Sequence, residues 1–171
     1  FAKRLMMHLR VNGIRPFLLS TDDYFVGDAR NPRDADGHLD YEHIQALDLP
    51  RLNRDLGALL AGKPVCLPRF DFKRRASLET AVATTLAPDQ TILIEGIHAL
   101  NPALTEQVPD AVKFRIYISA LTQLAIDDNS RISTTDNRLL RRMVRDNQFR
   151  KHPPLQTLRR WPSVLRGEAH W

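Results

Sequence analysis

TILIEG, residues 91–96, is an apolar run with β-branched side chains that ends on a carboxylate and a glycine. Without polar alternation neither of its faces suits water, so it predicts a strand buried in a parallel sheet. Working outward, RPFLLS (15–20) is a second apolar run of strand length, and KFRIYIS (113–119) alternates well enough for a third. Helical patterns lie between and around them. FAKRLMMHLRVNG (1–13) sets Phe1, Leu5, Met6 and Leu9 on one face and closes at Gly13. YEHIQALDLPRLNRDLGALLAGK (41–63) repeats leucine at helical spacing and ends at Gly62, and Pro50 predicts a break or kink. STTDNRLLRRMVRDNQF (133–149) predicts a helix with Thr134, Thr135 or Asp136 as N-cap. PVCLPRFDF (64–72) reads as an irregular edge strand, and the Asp-, Gly- and Pro-rich residues 26–40 as a loop. Strands separated by helices predict the α/β class, a parallel sheet flanked by helices with right-handed crossovers. There is no internal repeat and no linker, so residues 1–171 are expected to form one domain.

Bulk properties narrow the function classes. The chain is 43% hydrophobic and 26% charged, an ordinary globular balance. No apolar run approaches the roughly 18 residues of a membrane span, so no membrane partner is expected. The single cysteine, Cys66, cannot form an intrachain disulfide, which predicts a reducing, cytoplasmic setting; without a Cys or His at zinc spacing it is expected to be a packing residue. The net charge of +5 is uneven. Between Arg131 and Arg166, nine arginines and Lys151 face only Asp136 and Asp146, while residues 1–130 are slightly acidic. A basic block of this kind implies an anionic partner: a nucleotide, a polynucleotide or an acidic protein.

Ligands of parallel α/β sheets bind beyond the carboxyl ends of the strands, here Ser20-Thr21-Asp22-Asp23, Glu95-Gly96-Ile97-His98 and Ser119. Asp22 is either a turn carboxylate or a general base that accepts a hydroxyl proton as the oxygen attacks phosphorus. Spacing does not separate it from Asp23. Glu95 either caps a helix or holds Mg²⁺ or its water shell, and His98 is either its neighbour there or a structural donor. Arg138, Arg141/Arg142 and Arg145 recur at helical spacing, a guanidinium stripe that is either a solvated face or a forked receptor for phosphate. A calcium loop over DARNPRDADGHLD fails, because counting back from Gly37 puts Pro32 at the first ligand position.

Taken in order, LLSTDDYF, LDYEHIQALD, LPRFDF, ILIEGIHALN and RLLRRMVRD resemble the uridine kinase and phosphoribulokinase family of P-loop kinases, and most nearly the bacterial uridine kinase-like branch. The resemblance covers essentially the whole chain. It implies a P-loop NTPase-like parallel sheet with an Arg-rich helical lid at about 130–166, and ATP and Mg²⁺ as cofactors. By position, Asp22 matches the base that takes the nucleoside hydroxyl proton, with Asp23 as its companion and Tyr24 expected at the substrate. Glu95 matches the strand-end acid near Mg²⁺. Asp40, Tyr41 and Glu42 fall on the ribose-binding motif. Phe70 and Arg75 stand where the family places a Tyr and a His beside the base. Arg142 and Arg150 are expected at the substrate, and Arg141 and Arg145 at the phosphates of ATP.

Phe70 lacks the hydroxyl, and Arg75 is not a His, so uracil specificity is not implied. No G-x-x-x-x-G-K-S/T occurs in the 171 residues. In the family that loop immediately precedes the helix starting at Phe1, and a strand follows Trp171. The expectation is a domain trimmed at both ends and inactive alone. The expected activity is ATP-dependent phosphoryl transfer to a nucleoside hydroxyl of the uridine or cytidine type. The alternatives are a sugar-phosphate acceptor in the same family, or a non-catalytic RNA-binding module using the basic block. Only Phe149 and Trp161 interleave with that block, which argues against nucleic acid. The oligomeric state stays open, a homo-oligomer included.

Overall fold

The computed structural model describes residues 1–118, 125 and 127–170. Helix α1 (Ala2–Val11) follows the 1–13 pattern and ends before Gly13, whose φ of +78° suits a residue without Cβ. Strand β1 (Arg15–Ser20) runs directly into a 3-10 turn, Thr21–Tyr24. A second 3-10 turn, Ile44–Ala46, precedes helix α2 (Leu49–Leu60). Pro50 therefore starts this helix instead of kinking a longer one. A proline in the first turn gives up only an amide that would have had no helical partner, and the Asp48 carboxylate caps the turn by accepting from the Arg51 amide at 3.1 Å.

Strands β2 (Pro68–Asp71) and β3 (Ala76–Glu79) form an antiparallel hairpin, so the edge strand expected at 64–72 is one arm of a pair. Strand β4 (Gln90–Glu95) lies parallel to β1, with Arg15 opposite Gln90 and Ser20 opposite Glu95. Helices α3 (Thr134–Phe149) and α4 (Pro154–His170) complete an α/β architecture. Among the described residues no helix is long and apolar enough to cross a membrane.

Two expectations are corrected here. Residues 113–118 of KFRIYIS join no strand, and Ser119 lies outside the described residues. Ile92, Leu93 and Ile94 of β4 are half-buried, not fully buried, because among the described residues β4 has one ladder neighbour, β1.

The described chain divides into two compact units, 1–116 and 117–170. In the first, Leu19, Tyr24, Ile44, Leu52 and Leu104 form a buried cluster against Phe17, Ile92 and Ile94, fixing α2 on the strand pair. Each fully buried leucine contributes roughly 2 kcal/mol. A second cluster gathers Phe25, Ala46, Leu47 and Phe70. Between them runs a polar chain. The Tyr24 hydroxyl donates to buried Asp55 at 3.4 Å, Arg51 reaches Asp55 at 3.4 Å, and the Arg51 fork holds Glu79 at 2.7 Å and the Cys66 carbonyl at 3.2 Å. Arg51 thus ties α2 to the hairpin. Cys66 itself is exposed, so its expected packing role is corrected: its carbonyl is what the fold uses.

In the second unit the N-cap of α3 is Ser133, one residue before the expected candidates, and its Oγ accepts from the Asp136 amide at 3.0 Å. Helix α4 buries Thr157, Trp161 and Val164, spaced so as to share one face. Arg138 of α3 pairs with Glu168 of α4 at 2.6 Å.

Candidate active site

Parallel register brings two strand ends to one edge. Ser20 and Glu95 stand opposite each other, and the Ser20 hydroxyl donates to the Glu95 carboxylate. Asp22 and Asp23 follow at once in the 3-10 turn, so the strand-end acids foreseen in the sequence share the carboxyl edge of the β1–β4 pair. The two tails also come close together at Gly96. Its φ is +149°, and a Cβ there would stand 1.8 Å from Thr21 Oγ1. Only glycine allows that approach.

The adjacent aspartates are not equivalent. Both are half-buried, but Asp23 Oδ1 accepts the Phe70 amide of β2 at 3.2 Å, which ties the turn to the hairpin. Burial pushes the Asp23 carboxyl above its ordinary value. The Phe70 amide and the Arg69 charge pull it down, and Glu95 adds to the rise. A cavity of about 310 Å³ opens beside Asp23, lined by Ser20, Leu67, Arg69, Thr80 and Thr84 among others.

An acid with a raised folded-state pKa costs stability once ionised. The cost is absent below the unfolded value of 3.8 and grows as pH rises through the folded one. Asp23→Asn, which keeps an acceptor for the Phe70 amide, is therefore expected to unfold at higher denaturant than the parent at neutral pH. The two midpoints should converge by about pH 3. A gap unchanged by acidification would contradict the burial argument.

The other expected substrate residues divide into two groups. Tyr24 is 1% exposed and Phe70 7%, and both belong to the core. Burial pushes the Tyr24 phenol far above its ordinary value, with the Asp55 charge adding to the rise. The Phe70 ring packs 5.4 Å from Phe25 and 5.1 Å from Phe72. Both rings are thus held by core packing, and Tyr24 also lines the cavity beside Asp23.

Asp40, Glu42 and Arg75 are less buried. Asp40 accepts from the Glu42 amide at 3.0 Å, while Arg75 pairs with Asp28 at 3.2 Å, and Asp28 also accepts from the Tyr41 hydroxyl. His98, 4% exposed, meets this group. Burial lowers its imidazole below 6.5, while the charges of Glu42 and Asp40 oppose that shift. Asp34, Asp36 and His38 also approach one another, but Asp34 Oδ1 accepts from the Asp36 and His38 amides, a turn motif.

In the second unit the arginine stripe resolves into separate duties. Arg138 is held by Glu168, Arg141 is exposed, and Arg142, Arg145 and Arg150 converge on one buried carboxylate, Asp146. Sequence reasoning overlooked Asp146, Asp55 and Asp28. The signal for Asp146 was its spacing: it lies four residues from Arg142 and from Arg150.

No protein-family model matches the chain. It is similar to a uridine kinase of Deinococcus deserti, 26% identical over 164 residues, which is 96% of this chain and 70% of that protein. It is also similar to uridine kinases of Lactobacillus helveticus (27% over 136 residues, 80% and 56%) and Halobacterium salinarum (28% over 129 residues, 75% and 49%). Against the latter two, the match spans about half of the relative's length. Among solved structures, a possible uridine kinase from Bacillus stearothermophilus overlaps 60% of this chain and 55% of that one at 24% identity, with a TM-score of 0.49. The sequence relatives support the uridine kinase-like P-loop family.

Proposed function

We propose that the protein to which this chain belongs transfers the γ-phosphoryl group of ATP to the hydroxyl of a nucleoside of the uridine or cytidine type. The observation that carries this reading is the register of β1 and β4, which sets Ser20 against Glu95 with Asp22 and Asp23 immediately beyond. Asp22 takes the proton of the attacking hydroxyl. Asp23 is engaged by the Phe70 amide and tethers the turn to the hairpin, and Asp22 holds the position of the base in the family the chain resembles. Asp40 and Glu42 hold the acceptor's ribose, and Arg75 on the hairpin faces its base. Arg141 and Arg145 meet the phosphates of ATP, and Arg142 and Arg150 reach the substrate and the phosphoryl group transferred to it, where the planar guanidinium fork matches phosphoryl oxygens.

The oxygens of Glu95 and Ser20 are the hard donors that Mg²⁺ prefers, so Glu95 fits the ion. When bound there, Mg²⁺ neutralises charge on the transferring group. No G-x-x-x-x-G-K-S/T cradle for the β- and γ-phosphates occurs among these 171 residues.

The test uses the product of the complete reading frame. Arg142→Lys and Arg145→Lys keep the charge and lose the fork. Nucleoside-dependent ADP release is expected to fall by more than about tenfold in each, because the lost contacts are strongest with charge developing in transfer. Undiminished ADP release, together with tight RNA binding that weakens steeply with salt, would overturn this reading in favour of a polynucleotide surface, on which lysine substitutes freely.

A further inference from the structure

We propose that Asp146 is a positioning residue that gathers Arg142, Arg145 and Arg150 into one phosphate-binding group. The proposal rests on the reading that the arginines of α3 meet phosphates. Its basis is geometry within the helical unit alone. The Asp146 side chain is 6% exposed. Its Oδ1 accepts from Arg145 Nε at 3.0 Å and lies 2.9 Å from a second nitrogen of the same fork. Arg142 Nε stands 3.6 Å from Oδ2, and Arg150 Nη1 3.6 Å from Oδ1.

The backbone of the same residue fixes where the helix ends. Its carbonyl accepts from the Arg150 amide at 3.1 Å and from the His152 amide at 3.0 Å. Lys151 takes a φ of +59° in that turn. One residue thus sets both the side chains and the main chain around the cluster.

Charge explains why such an anchor is needed. Three guanidiniums within two helical turns repel one another, and a buried carboxylate is tolerated only when paired. Each instability cures the other. A carboxylate accepts about four hydrogen bonds, whereas each arginine offers five donors, so one aspartate orders three forks without exhausting them. The cluster stays cationic, with three positive charges around one negative.

This predicts a result opposite in sign to simple charge counting. Removing a negative charge beside three arginines should tighten the binding of an anion if only net charge matters. If Asp146 positions the forks, removing it should weaken binding. The experiment measures the affinity of inorganic tripolyphosphate for the complete protein and its Asp146→Asn and Asp146→Glu variants, with helical content and thermal midpoint recorded for each. The expected result is binding about tenfold weaker in Asp146→Asn at unchanged helical content. Asp146→Glu, which keeps the charge but moves the carboxylate by one methylene, should weaken binding as well. A parallel fall in kcat at constant acceptor KM is expected for both.

Tripolyphosphate binding equal or tighter in Asp146→Asn would overturn the positioning role and leave the phosphate reading of α3 standing. Absence of binding in the parent would overturn that reading and this proposal with it. If Asp146→Asn loses its helices, Asp146→Glu decides: weakened binding upholds the role, and unchanged binding refutes it.

Discussion

Asp22→Asn, in the product of the complete reading frame, is expected to lower turnover by about 10²- to 10⁴-fold, the usual loss for a general base, with nucleotide affinity nearly unchanged. The substitution keeps the size of the side chain and its hydrogen-bonding capacity. It removes the negative charge and with it the ability to accept the acceptor's proton. The paired control is Asp23→Asn. Because Asp23 serves the fold through the Phe70 amide, and an asparagine can still accept that bond, this variant should retain most of its activity. Steady-state kinetics on the two proteins decide the matter. If Asp23→Asn is dead and Asp22→Asn turns over near the parent rate, the base has been assigned to the wrong carboxylate.

Gly96→Ala is expected to be nearly as damaging, through stability. The added Cβ would lie 1.8 Å from Thr21 Oγ1 and 3.0 Å from Thr21 Cβ, on a backbone whose φ of +149° already disfavours any side chain. Strain of that kind costs on the order of 1–3 kcal/mol, and overpacking a similar amount again. A domain stable by about 5–15 kcal/mol loses a large share of its margin. Thr21→Ala in the same chain removes the worst clash but not the backbone strain, so the double variant should recover part of the loss. Urea midpoints measure both. A single variant that unfolds with the parent would mean the two strand tails do not approach as closely as described.

How much could be read from residues alone depended on whether the deciding force was local. The paired runs RPFLLS and TILIEG were legible because an unalternated apolar run leaves a strand few options, and α1 and α3 were legible from their spacing. The strand-end placement of Asp22, Asp23 and Glu95 followed from the same pattern. What escaped was set by partners distant in the chain. Ala76–Glu79 has little apolar signal and becomes a strand because β2 pairs with it and Arg51 grips Glu79. Pro50 was read as a break or a kink, and the capping by Asp48 that makes it a helix start was not legible because it is a contact of side chain with backbone. KFRIYIS alternates like a strand but joins no ladder in its described part, and propensity alone does not supply a neighbour. The arginines were visible, but the carboxylate that organises them was not, since a lone aspartate in a basic helix looks like dilution. Tyr24 and Phe70 were placed at the substrate on resemblance, and their burial in the core was not legible from that pattern.

The pairing of Ser20 with Glu95 spans 75 positions of sequence, and that separation bears on how such a protein can change over generations. Loop entropy grows only with the logarithm of length, about 0.6 kcal/mol for each doubling. The exposed loops between the two strands can therefore lengthen or shorten at little thermodynamic cost. Within it lie the loop at 26–40, the Asp40–Glu42 segment and the hairpin carrying Arg75. On the proposed function, acceptor recognition sits in the segment between these two fixed posts. New acceptors can be explored there by drift while the acidic edge keeps its register.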